Sequence, residues 1–368
     1  MASKKLDIVP LCEWGLFAEP SPSLVAGPCS AESEDQIMET AKGLKELGVN
    51  VFRAGIWKPR THPGCFEGVG APGLKWLQKV QKEYGLKVAT EVANEKHVME
   101  CLKHKVDMVW IGARTTANPF LVQEIADALK GTDIPVLVKN PVNPDLELWI
   151  GALERLNRAG IRKLGVIHRG FSTFDKIKYR NDPHWDIAIE MRSHFPELPF
   201  FVDPSHLGGS RDYILEISQR SLDLGFEGLM IESHCNPSCA LSDAKQQLTP
   251  VALGELMNNQ LVVREVDSDA KEWKENIDQL RAKIDILDEN LLYTLGARMK
   301  VSKEIGEYKK TSNVAIIQTI RWDALLAKVL EKGAEYGLPE KFVADVFAAI
   351  HETSIEIQNQ IISGTQSE

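Results

Sequence analysis

Eight short apolar runs recur across the first 234 residues. They are LVAGPC (24–29), VFRAG (51–55), KVATEV (87–92), MVWIGA (108–113), VLVKN (136–140), LGVIHR (164–169), FFVDPSH (200–206) and GLMIESH (228–234). Each is brief and rich in Val, Ile, Leu or Phe, as suits parallel strands buried on both faces. Helix-like stretches lie between them. SEDQIMETAKGLKELG (33–48), for instance, opens with a Ser-x-x-Gln cap and closes at Gly48. Eight β/α repeats in about 250 residues predict a TIM (β/α)8 barrel. A doubly wound open sheet is the rival, but its glycine-rich phosphate fingerprint is missing after the first run.

The pattern changes near residue 265. VREVDSDAKEWK is polar, and the rest of the chain is helix-forming. Ile277, Leu280, Ile284, Leu287, Leu291, Leu295, Met299 and Ile305 form one stripe at steps of three and four. Residues 274–310 contain no proline and predict one helix of roughly 50 Å, too long for one small domain to bury. Packing against a partner chain is expected, giving at least a homodimer through these helices. Further helices are expected near 316–333 and 339–361. The expected organisation is a barrel domain over 1–258, a linker over 259–272 and an all-α three-helix domain over 273–368.

Composition narrows the function. The 368-residue chain carries a net charge of −9, which argues against a general nucleic-acid binder. No apolar run is long enough to span a membrane, and the first residues lack the apolar core of a signal peptide. A cytoplasmic protein is expected. Six scattered cysteines favour free thiols or metal ligands over a disulfide framework.

In a TIM barrel the C-terminal strand ends carry the chemistry. Two groups separate there. Cys29, His206, Glu232 and Asp243 combine a thiol, an imidazole and two carboxylates, types that bind a divalent transition metal. Lys58, Arg60, Arg114, Lys139 and Arg169, from four strands, form a basic set that barrel closure would aim at one cavity, and Arg53 ends the second run. So many cations need anionic ligands, most simply phosphates and carboxylates. Taken singly, a buried cysteine is more often structural, and a lone strand-end cation is usually a solvated rim charge. Cys235 and Cys239 lack a second pair and do not make a zinc site.

The motifs AGPCS, RAGIWKPRT, IGAR, VKNP, IHRG, DPSH and IESH, followed by LSDAKQQL, occur in order on these strands. They closely resemble the 3-deoxy-D-arabino-heptulosonate 7-phosphate (DAHP) synthases, in the subgroup related to the 3-deoxy-octulosonate-phosphate synthases. The resemblance covers about residues 20–255. It implies condensation of phosphoenolpyruvate with erythrose 4-phosphate, the first step of the shikimate pathway. It implies a divalent metal on Cys29, His206, Glu232 and Asp243, commonly Mn2+, with Fe2+, Co2+ or Zn2+ as alternatives. Lys58, Arg114, Lys139 and Arg169 would grip phosphoenolpyruvate, with Arg53 in the same substrate set. Arg60 and Thr61 would lie near erythrose 4-phosphate, and Lys58 would donate or relay a proton. The alternative is an octulosonate-phosphate synthase using arabinose 5-phosphate, with the helices as a non-catalytic dimerisation or sensor domain. Its usual Lys-Ala-Asn-Arg-Ser differs from Lys-Pro-Arg-Thr at 58–61. His62 departs from both, since a Ser usually follows the Thr.

LRAKIDILDENLLYTLGARMKVSKEIGEYK resembles the first helix of the all-helical chorismate mutases, and the match spans about residues 270–361. Arg281, Arg298, Lys309, Arg321 and Gln358 fall on that family's substrate-contact positions. Arg298 and Lys309 are eleven residues apart and project within about 20° of each other. Arg281 lies roughly 100° off that face, which suits the family arrangement in which it reaches into the partner subunit's site. The resemblance implies cofactor-free rearrangement of chorismate to prephenate, with Lys309 and Gln358 flanking the ether oxygen. Gln318 stands where Asp is usual, and Trp322 where a Glu usually contacts the substrate hydroxyl. Joining an early step to a later one implies that chorismate or prephenate bound at the helices also regulates the barrel.

Overall fold

The computed structural model describes residues 5–17, 22–58, 64–174, 176–263, 271–317 and 319–363, with only the backbone described at 271, 272, 275 and 319–321. The chain divides into two compact units, Met1–Val266 and Asp267–Glu368.

The first unit is the expected barrel. Eight parallel strands close in sequence order: β1 (Ser23–Gly27), β2 (Val51–Arg53), β3 (Lys87–Val92), β4 (Met108–Ile111), β5 (Val136–Lys139), β6 (Leu164–His168), β7 (Phe200–Val202) and β8 (Gly228–Glu232). Closure is completed by β1 pairing with β8, Ser23 opposite Gly228 through to Gly27 opposite Glu232. The rival open sheet is thereby excluded. The connecting helices are α1 (Glu34–Glu46), α2 (Pro72–Tyr84), α3 (Glu95–Lys103), α4 (Ala113–Thr116), α5 (Pro119–Leu129), α6 (Leu146–Arg158), α7 (Trp185–His194), α8 (Pro204–Gly208), α9 (Ile214–Asp223) and α10 (Pro250–Glu255).

Local chemistry explains the helix starts. The Ser33 hydroxyl accepts from the Gln36 amide, as the capping pattern requires. Asn94, Asn118, Asp145, Asp203 and Thr249 cap five other helices in the same way.

Two apolar layers hold the barrel. An outer layer fills the space between strands and helices. The inner layer joins Val25, Val51, Met108, Trp110, Leu137 and Phe201 with their neighbours, and Trp14 and Leu16 pack onto it. The interior is therefore filled with side chains, as this fold requires. The N-terminal segment is fixed by the Trp14 indole donating to the Val9 carbonyl and by the Val9 amide donating to Arg162.

Several strands stop sooner than their apolar runs. The 200–206 run leaves the ladder after Val202, because Asp203 turns to cap α8. The 24–29, 51–55, 108–113 and 228–234 runs end at Gly27, Arg53, Ile111 and Glu232. The residues beyond are largely buried, which is why they read as strand, but they shape the mouth through isolated bridges, Gly55 with Ser30 and Ser233 with Leu248, instead of continuing the ladder.

The second unit contains α11 (Lys271–Thr311), α12 (Thr319–Glu335) and α13 (Glu340–Ser363). The 41 residues of α11 span about 60 Å. Leu280, Ile284, Leu287 and Leu291 of its stripe are more than half exposed in the single chain. Among the described residues no helix is long and apolar enough to cross a membrane.

Gly27 is the tightest joint at the mouth. It has φ +150°, and a Cβ there would meet the Arg53 carbonyl oxygen at 2.0 Å. Backbone cannot move aside as a side chain can. Gly27→Ala is expected to destabilise the barrel by roughly 3 kcal/mol or more, read as a fall in the denaturant midpoint. An unchanged midpoint would show that β1 and β2 can separate at no cost.

Candidate active sites at the barrel mouth and in the helical unit

The chain brings its four mixed ligand types together. Cys29 follows β1, His206 sits on α8, Glu232 ends β8, and Asp243 lies in the loop beyond. One donor atom from each lies within 4.8 Å of the others. Cys29 Sγ is 3.2 Å from Asp243 Oδ2, and His206 Nε2 is 3.5 Å from Glu232 Oε1.

The neighbours fix this geometry. The Asp203 carboxylate accepts from His206 Nδ1 at 2.8 Å, which leaves Nε2 for the cluster. Gln246 Nε2 donates to Glu232 Oε2 at 2.7 Å. Gln247 Oε1 accepts from the Cys29 amide at 2.9 Å. Arg180 donates to Asp243 Oδ1 at 3.1 Å and to Gln246 Oε1 at 3.0 Å.

Electrostatics follow from burial. The Cys29 thiol is pushed up to about 12 by burial and by Glu232, with Lys58 opposing. Burial would raise the carboxyls of Glu232 and Asp243 too, but His206 and the nearby cations outweigh it and hold both below their usual range. Burial lowers His206, partly offset by Asp203 and Glu232.

The donor set fits a divalent transition metal. Sulfur, imidazole nitrogen and carboxylate oxygen converge, and Glu232 Oε1 is buried without a hydrogen-bond partner. A divalent cation at such a cluster deprotonates a thiol outright.

The cations gather beside it. Lys58 Nζ lies 2.9 Å from Cys29 Sγ and 3.0 Å from the Cys29 carbonyl oxygen. Burial would lower Lys58, but Cys29, Glu232 and Glu91 outweigh it and raise it above its ordinary value. Lys139 Nζ is 2.7 Å from Asp203 Oδ2. Arg53 is 1% exposed, stands over the Trp110 ring and reaches Glu232 Oε1 at 3.4 Å. Its Nε and Nη1 are buried without hydrogen-bond partners. Arg169 donates to Asn181 Oδ1 at 2.8 Å, and its backbone amide donates to Asn140 Oδ1. Its guanidinium is pushed down to about 10, chiefly by burial, with Arg180 and Arg114 adding repulsion. Arg114 is carried on α4. Arg60, Thr61 and His62 lie outside the described residues.

Sequence reasoning missed Arg180 and Gln246. Both lie in connections, where no strand pattern singles them out. Asp203 was visible as a strand end, but not as the link between Lys139 and His206.

In the helical unit a cavity of about 830 Å³ is lined by Arg298, Lys309, Trp322, His351, Ser354 and Gln358, among others. Arg298 donates to Ser354 Oγ at 2.7 Å, and Lys309 donates to the Ile316 carbonyl. Gln358 Nε2 donates to Ser302 Oγ at 3.2 Å, and the second N–H of that amide remains for a ligand. Arg281 is not in this cavity; it is exposed, 3.7 Å from Asp278. Arg321 lies on α12 with only its backbone described, and Gln318 lies outside the described residues.

The fold and sites define a two-part enzyme-type architecture, and comparison supplies the family. The DAHP synthetase I family profile matches residues 18–272, and that of chorismate mutase type II matches residues 280–359. The chain belongs to the DAHP synthetase I family and carries a C-terminal chorismate mutase type II domain. It is 38% identical over 230 residues to phospho-2-dehydro-3-deoxyheptonate aldolase of Thermotoga maritima, over 61% of this chain and 65% of that relative's length. A crystal structure of the Thermotoga maritima aldolase matches with TM-score 0.59 and 34% identity, over 70% of each chain. A truncated form from that organism gives 0.56 at 31% identity, over 70% of this chain and 87% of that one. The 2-dehydro-3-deoxyphosphooctonate aldolase of Acidithiobacillus ferrooxidans is 28% identical over 244 residues, 60% of this chain and 81% of that one.

His168 ends β6 with its ring among aromatic neighbours. It is fully buried, packed by Trp149, Phe171 and Trp185, and burial pushes it down to about 3. The Pro183 backbone opposes this without reversing it. An unfolded histidine titrates near 6.5, so above that pH neither state binds the proton and stability is full. Below it the unfolded chain alone gains a proton. Stability is expected to fall by up to about 1.4 kcal/mol per pH unit between pH 6.5 and 3 from this residue. Denaturation of wild type and His168→Phe across pH 4–7 checks this. The variant should lose that share of the slope; identical slopes would show that His168 is protonated in the fold.

Proposed function

We propose that the barrel condenses phosphoenolpyruvate with erythrose 4-phosphate, giving DAHP and phosphate, and that the helical unit rearranges chorismate to prephenate. The observation that carries the first reading is a thiol–imidazole–dicarboxylate cluster bordered by buried cations. The cations Lys58, Arg114, Lys139 and Arg169, with Arg53 beside them, hold the carboxylate and phosphate of phosphoenolpyruvate. Arg60 and Thr61 serve the second phosphate. Holding two mutually repelling anions together is a proximity effect. Carbon 3 of phosphoenolpyruvate attacks the aldehyde, positive charge develops at carbon 2, water adds there, and C–O cleavage expels phosphate. Lys58 passes a proton to the aldehyde oxygen as it becomes a hydroxyl. A divalent metal held by Cys29, His206, Glu232 and Asp243, with Mn2+ proposed over Fe2+, Co2+ or Zn2+, supplies Lewis-acid polarisation of that aldehyde.

Lys-Pro-Arg-Thr at 58–61 and the higher identity to the heptonate aldolase favour erythrose 4-phosphate over arabinose 5-phosphate. Phosphoenolpyruvate consumption with erythrose 4-phosphate is expected to vanish after prolonged chelation and to return with manganese. Cys29→Ser should lower metal affinity about tenfold or more. Consumption only with arabinose 5-phosphate would make the barrel an octulosonate-phosphate synthase. Activity untouched by the chelator would make Cys29 structural.

For the helices, Arg298 and Lys309 in one cavity support a dicarboxylate ligand. Arg298 and Arg321 bind its carboxylates, while Lys309 and Gln358 stabilise charge on the ether oxygen. The exposed stripe of α11 supports dimerisation through a second copy, whose Arg281 completes the cavity. We place the enzyme in the cytoplasm. Arg298→Ala is expected to cut chorismate turnover by about a hundredfold or more. Wild-type protein that binds chorismate or prephenate without turnover would make this unit a sensor alone.

A further inference from the structure

Two aromatic residues of the helical cavity are not among the substrate contacts assigned above. Trp322 on α12 and His351 on α13 stack face to face, with centroids 4.1 Å apart and planes 13° apart. Both line the cavity that holds Arg298 and Lys309. The mutase resemblance implies a Glu at the Trp322 position, contacting the substrate hydroxyl. An indole has one N–H and no acceptor, so Trp322 cannot replace that carboxylate. A neutral imidazole can, because one ring nitrogen accepts while the other donates.

The surroundings keep the ring neutral. Burial lowers His351, and Arg298 and Lys309 add to it. The same two cations show that His351 shares their space, and the flat stack restricts rotation of its ring. Ser354 Oγ is bound to Arg298 and to the Ile350 carbonyl, and Gln358 donates to Ser302, while its buried Oε1 has no partner and is a second open acceptor beside His351. The cations suit the carboxylates of a ligand, which leaves its hydroxyl to be met.

We propose that His351, braced by Trp322, is a specificity residue of this cavity that hydrogen-bonds the ring hydroxyl of the dicarboxylate substrate. The proposal rests on the chorismate reading of the same cavity. It moves the hydroxyl contact from α12 to α13, and Trp322 becomes a positioning residue.

The test uses the full chain with two substrates, chorismate and an analogue lacking the ring hydroxyl. His351→Phe preserves an aromatic stack and removes the hydrogen bond; His351→Gln restores an acceptor and a donor. For chorismate, kcat/KM is expected to fall about tenfold in the Phe variant and to recover largely in the Gln variant. Wild type and the Phe variant should handle the analogue alike. A Phe variant within about twofold of wild type on chorismate would overturn the proposal, as would equal losses on both substrates, which mean packing alone. If wild type itself neither binds nor converts chorismate, the mutase reading fails, and this proposal fails with it.

Discussion

One carboxylate organises the barrel mouth. Asp203 is fully buried, and its two oxygens cap α8 at the His206 amide, orient the His206 ring and receive Lys139. Burial alone would raise its carboxyl, but His206 and Lys139 outweigh that and hold it well below the usual range. An ionised group so deep is tolerated only when its partners are in place. Asp203 therefore makes the ligand cluster and the cation set parts of one network. Arg53 does the same on the other side, where it reaches Glu232. Removing one member leaves an uncompensated buried charge, so the two halves of the site stand or fall together.

The helical unit solves a different problem. Its cavity forms between side chains of long helices, and its cations are less deeply set. Arg298 is lowered by partial burial and held by Ser354, with no buried carboxylate paired to it among the described residues. Such a cavity is suited to a ligand that brings its own negative charge and needs a fixed shape more than a reactive partner.

Much of this was legible in the sequence, and the reasons are physical. β-branched runs buried on both faces are hard to mistake, and all eight strands lie where the runs lie. Strand ends are equally legible, so Cys29, Lys139, Arg169 and Glu232 could be read directly. What eluded the pattern lies between strands. Arg180 sits in a connection with no periodicity, and its contact with Asp243 spans 63 residues. The N-terminal segment gave no strand or helix signal, yet Trp14 and Leu16 close the inner layer. Helical periodicity identified the face of Arg298 and Lys309 but not its depth, and the stack of His351 on Trp322 depends on the packing of α12 against α13. Apolar runs also overstate strand length, because burial continues where the regular ladder gives way to isolated bridges.

Gly27 carries a lesson about reading tolerance. Its hydrogen faces a backbone oxygen from the next strand at a distance no carbon can occupy. Evolution would find this position as closed to change as Cys29 two residues on, although it offers no atom to any ligand. Intolerance to substitution around the mouth thus has two sources, the reactivity of some side chains and the lack of room for others. A map of permitted substitutions, taken alone, would draw the active site larger than it is.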